Sequence, residues 1–66
     1  MKKIYIAMIE SSELGKAIFR GNTRMVYFTS RKEAQNFINR LDVYEEGYID
    51  IENVPEEIYA KIDFYA

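Results

Sequence analysis

The run Ile4-Tyr5-Ile6-Ala7-Met8-Ile9 constrains this chain more than any other segment, because it is apolar at every position. Successive side chains of a strand point to opposite faces, so Ile4, Ile6 and Met8 line one face and Tyr5, Ala7 and Ile9 the other. A strand over about residues 3–9 with two apolar faces belongs in the middle of a sheet and needs cover on both sides. The chain has 66 residues to supply that cover, and a domain of this size buries only about 60% of the surface its unfolded form exposes. It contains no Cys and no His, so disulfides and the usual structural zinc sites are closed to it. Self-association stays open, and we expect a homo-oligomer, most simply a homodimer. Either a later element of the same chain covers the second face of the strand or another chain does.

An apolar fraction of 48% and a single Pro separate the sequence from disordered chains and predict one folded domain over residues 1–66. Gly21-Asn22 tolerates the positive φ values of a tight turn and lies between two apolar runs, which predicts a hairpin with strands at 16–20 and 23–29. Ser30 followed by Glu33 is a capping box, and Ala34, Phe37, Ile38 and Leu41 then recur at helical spacing. The spacing predicts a helix over 31–41 with that stripe facing inward. Tyr48 to Glu52 alternates, with Ile49 and Ile51 on one side and Asp50 and Glu52 on the other, as in a one-sided strand at a sheet edge. Pro55 followed by Glu56 and Glu57 marks a helix start, and Ile58, Tyr59, Ile62 and Tyr65 continue its period, although Ile62, Phe64 and Ala66 also alternate as a strand would. The expected fold is α+β: a small, mainly antiparallel sheet of three to four strands packed on one main helix, with a short C-terminal helix.

The residue types narrow the chemistry. Without His the usual base near neutral pH is missing, and without Cys the most reactive nucleophile is missing too. Paired carboxylates need a cleft that raises one pKa, which is hard to build at this length. We expect no enzyme and no cofactor. Asp42, Glu45, Glu46, Asp50 and Glu52 are hard-cation ligands by type, but they lack the spacing of a calcium loop, and Gly15-Lys16 lacks the flanking residues of a phosphate loop. No metal site is expected. The six apolar residues of the first strand fall short of the about 7 to 15 of a secretory signal and of the about 20 that span a bilayer, so the expectation is a cytoplasmic protein without membrane contact.

Charge is distributed unevenly: residues 1–40 carry +5 and residues 41–66 carry −7, for a net charge of −2. Two binding readings follow. Tyr44, Glu45, Glu46, Tyr48, Asp50 and Glu52 would form an acidic, tyrosine-bearing surface for a protein partner, since Tyr combines large contact area with a polar tip and carboxylates attract basic surfaces. The alternative is nucleic-acid binding through Lys16, Arg20, Arg24, Arg31 and Lys32, with Phe19, Tyr27 and Phe28 available for stacking. The overall negative charge opposes that alternative.

The run Val26-Tyr27-Phe28-Thr29-Ser30-Arg31-Lys32-Glu33-Ala34, continuing to Phe37, Ile38 and Leu41, resembles a segment of small uncharacterised bacterial and phage α+β domains. Those domains also open on a Lys-Ile-Tyr-Ile-like strand and carry an acidic strand containing Tyr and Ile, as Tyr48 to Glu52 does here. The resemblance covers residues 3–52 and supplies no functional residues. It implies a setting, in which small accessory proteins of phages and mobile elements act by binding a host protein. The expected function is therefore a protein-binding accessory factor, an inhibitor or regulator of phage type, with the nucleic-acid module as alternative.

Overall fold

A computed structural model of the chain describes residues 1–12 and 19–65, with residues 12 and 19–22 as backbone only. The elements run β1 (Lys2–Ser12), β2 (Phe19–Phe28), α1 (Arg31–Ile38), β3 (Glu45–Val54) and α2 (Glu56–Tyr59). Among the described residues the sheet has three strands in the order β2-β1-β3, with both pairings antiparallel. The two-faced strand is thus central, and the acidic strand lies at an edge.

Register sorts the side chains. On one face Ala7 is flanked by Val26 and Ile49, Tyr5 by Phe28 and Ile51, and Ile9 by Arg24 and Gly47. This is the face that α1 covers. Ala7, Ile9, Phe28 and Ala34 form its buried centre, with Phe37, Ile38 and Leu41 packed against it. The small residues beneath the helix matter. A Cβ added to Gly47 would stand 3.0 Å from Leu41 Cδ1 and 3.2 Å from Ile38 Cγ1, so the absence of a side chain lets helix and strand approach.

The Ser30 cap forms: its Oγ accepts from the Glu33 backbone N–H at 3.2 Å. The Glu33 carboxylate accepts from the Ser30 hydroxyl at 3.4 Å, in place of the Ser30 backbone N–H of a full capping box. The helix closes at Ile38, earlier than the expected 41. Arg40 and Leu41 then donate to the carbonyls three residues back, Phe37 and Ile38. That tighter turn still carries Leu41 over the core.

The predicted hairpin turn at Gly21-Asn22 does not form. Both residues lie inside β2, which pairs with β1 from Tyr5↔Phe28 to Ser12↔Phe19. The register shifts between Glu10↔Thr23 and Ser12↔Phe19, so Arg20, Gly21 and Asn22 stand opposite Ser11 alone. A dipeptide that accepts unusual backbone angles serves a bulge as well as a turn, and here it serves the bulge. The strand expected at 16–20 overlaps β2 at its end, and its residues 16–18 lie outside the described residues.

β1 also runs past the expected 3–9, to Lys2–Ser12, because its pairing with β2 and β3 continues beyond the apolar run. β3 spans 45–54 where 48–52 was expected, and α2 is a single turn that ends at Tyr59. Beyond it the chain is extended: Phe64 forms a parallel bridge to Tyr27, and the Tyr65 N–H donates to the Tyr27 carbonyl at 2.9 Å. The tail therefore crosses from β3 to the outer edge of β2. Tyr65 turns its ring onto Phe28 and Phe37 on the helix face, while Phe64 meets Tyr59.

Candidate binding face

The second face of the sheet carries the even-numbered residues of β1, and its cover is uneven. Near the start of β1, Ile4 and Ile6 are 3% and 4% exposed although α1 lies on the opposite side. α2 packs against β1 on this side, with the Lys2 ammonium 5.5 Å from the Tyr59 ring centroid and the Phe64 ring 5.0 Å from that of Tyr59. Further along, the cover stops. Met25, Met8 and Tyr48 are register partners and form one row across all three strands. Met25 is 52% exposed and Tyr48 57%, with Met8 half-buried between them. The Tyr27 hydroxyl donates to Met25 Sδ at 4.0 Å and extends the row into a patch.

Carboxylates bound this patch. The neighbouring row places Glu10 directly opposite Glu46, and on the other side Asp50 is the partner of Ile6 and Glu52 of Ile4. Like charges directly opposite on one face of an antiparallel pair destabilise it. Among the described residues none of these four carboxylates has a salt bridge. Thus one face combines exposed Met and Tyr side chains with carboxylates that form no salt bridge among the described residues.

The residues predicted for partner binding divide between two faces. Glu46, Tyr48, Asp50 and Glu52 share the second face, whereas Glu45 is the register partner of Ser11 and belongs to the helix face. Glu45 is engaged there: its Oε2 lies 3.4 Å from Arg24 Nη2, and its Oε1 accepts from the Asp42 N–H at 3.4 Å. Tyr44 sits in the turn before β3, where its N–H donates to Asp42 Oδ1 at 3.0 Å. Sequence reasoning missed Met8, Met25 and Glu10 as members of the site. Their alternation was visible, but only the pairing of β1 with β2 brings Met25 beside Met8.

No family model, curated protein or solved structure matches this chain.

The described members of the basic set lie on different elements, Arg24 on β2 and Arg31 and Lys32 on α1. Arg24 pairs with Glu45, and Arg31 and Lys32 are exposed in the first turn of α1; Lys16 and the Arg20 side chain lie outside the described residues. Among the described residues no group of His, Cys, Asp or Glu is placed to hold a metal ion, and no helix is long and apolar enough to cross a membrane. A groove of about 330 Å³ opens beside α1, walled by Phe28, Phe37 and Tyr65 with Glu33, Asn36 and Arg40 at its polar side.

Proposed function

We propose that this chain is a small, non-enzymatic protein-binding factor of the cytoplasm, an inhibitor or regulator of the kind phages and mobile elements direct at a host protein. The open half of the second sheet face receives the partner. The observation that carries the reading is the row Met25, Met8 and Tyr48 across the three strands, exposed at Met25 and Tyr48 and half-buried at Met8, and set beside Glu10, Glu46 and Asp50. Flexible Met and amphipathic Tyr side chains are suited to protein contact, and the carboxylates select a basic surface and speed its approach.

A second copy of the chain is a poorer occupant of this face. Stacking two such faces would oppose Glu10, Glu46, Asp50 and Glu52 of one copy to those of the other, at a cost in unpaired negative charge. Nucleic acid draws less support still, since phosphate would be repelled by the same face and Arg24 is already paired.

Affinity capture from a bacterial lysate, with the parent chain and a Tyr48→Arg variant as parallel baits, tests the proposal. A protein with a basic surface retained by the parent and lost by the folded variant is the expected result. Equal retention by both baits would contradict it.

A further inference from the structure

The two edges of the sheet differ. At the outer edge of β2, Phe64 bridges Tyr27 and Tyr65 donates to its carbonyl. β3 has β1 on one side and, among the described residues, no strand on the other. Its ten residues pair with β1 without a register break from Glu45 to Val54. Edge strands are commonly guarded by charged side chains, Pro or a bulge; β3 has no Pro and no bulge, and its charges are all negative, which leaves the edge open to a cationic strand. What it carries is an alternation: Glu46, Tyr48, Asp50 and Glu52 toward the second face, Ile49 and Ile51 toward the helix face. Ile51 is 40% exposed, so the apolar side of that edge is only partly covered by the chain itself.

Resting on the protein-binding reading above, we propose that the partner contributes an extended segment that joins the sheet as a fourth strand along the outer edge of β3, alternating Lys or Arg with aliphatic residues. Residues directly opposite on one face of neighbouring strands interact as pairs. In such a segment one set of side chains places cations beside Glu46, Asp50 and Glu52, and the other places aliphatic groups beside Ile49 and Ile51. Main-chain hydrogen bonds to β3 supply affinity, and the alternation supplies selectivity. The same acidic row turns away a second β3. An antiparallel β3 pair in one continuous sheet would set carboxylates beside carboxylates, which negative charge on an edge strand prevents.

The probe is a nine-residue peptide alternating Lys and Val, titrated in parent form and in two N-methylated forms, one methylated on the Lys amides and one on the Val amides. Amides of alternate residues in a strand point to the same side, so one set faces β3 and the other faces solvent. One methylated form is expected to lose at least about tenfold in affinity, close to 1.4 kcal/mol, while the other stays within about threefold of the parent. Equal affinities for the three peptides, equal loss in both methylated forms, or no binding of the parent peptide would each overturn strand addition. Replacing Asp50 by Lys separates the two levels of the proposal. If this variant weakens the parent peptide while methylation has no effect, the acidic face binds cations but β3 does not take a strand. If the Tyr48→Arg bait keeps its protein in the capture experiment, the face reading itself fails whatever the peptides do.

Discussion

Tyr65 donates its backbone N–H to the carbonyl of Tyr27 at 2.9 Å, which joins the end of the chain to the outer edge of β2. This bond and the adjacent Phe64 bridge hold the tail against Tyr59, whose ring meets Lys2 on the face that carries Ile4 and Ile6. Phe64→Ala should therefore lower stability by about 1–2 kcal/mol, the value of a partly buried aromatic side chain. Its effect should reach the first strand. Hydrogen exchange at Ile4 and Ile6 is expected to accelerate in the variant, whereas a loss of protection confined to the tail would show that α2 alone covers the strand.

Gly47 occupies its place for steric reasons. A Val there would drive its methyl groups into Leu41 and Ile38, and overpacking of this kind costs about 1–3 kcal/mol. Leu41→Ala in the same chain removes the nearer neighbour, so the double variant should be more stable than the sum of the two single losses predicts. Denaturant unfolding of the four proteins in the cycle measures this coupling.

Loss of the Ser30 cap should act locally and mildly. Ser30→Ala removes the acceptor of the Glu33 N–H and is expected to cost about 1 kcal/mol. Ile9→Ala, at a fully buried position beneath α1, should cost about 2–5 kcal/mol. Thermal unfolding of the two variants is expected to rank them in that order.

Glu46→Lys offers a sharper contrast, because it converts the like-charged Glu10–Glu46 pair into an opposite-charged one. The folded chain should gain about 0.2–1 kcal/mol, while partner binding falls. A residue whose replacement improves the fold and harms binding is retained for binding. A variant that is less stable than the parent, or that binds as well, would remove this inference.

Much of the fold was legible in the sequence, because the signals were local. The capping residues and apolar spacing around Ser30, Ala34 and Phe37 located α1, and the two apolar faces of Ile4 to Ile9 placed β1 at the centre of the sheet. Gly21-Asn22 misled because the backbone freedom that makes a turn also makes a bulge, and the choice depended on pairing with β1. The tail resisted for a similar reason. Ile62, Phe64 and Tyr65 fit either a helix or a strand until the exposed edge of β2 supplies a carbonyl to bond. For the candidate site, Glu46, Tyr48, Asp50 and Glu52 followed from alternation within one strand. Met8, Met25 and Glu10 required the cross-strand register, and Glu45 left the group because its parity puts it on the helix side.

The central claim is that the open half of the second sheet face receives a cationic partner, and amide chemical-shift mapping tests it most directly. Titrating the isotope-labelled chain with the alternating lysine-valine peptide should move the signals of the stretch from Glu46 to Glu52 most, and those of its β1 partner Met8 less, with the response weakening as salt is added. Shifts gathered instead around Arg31, Lys32, Phe37 and Tyr65, on the helix side of the molecule, would contradict the account.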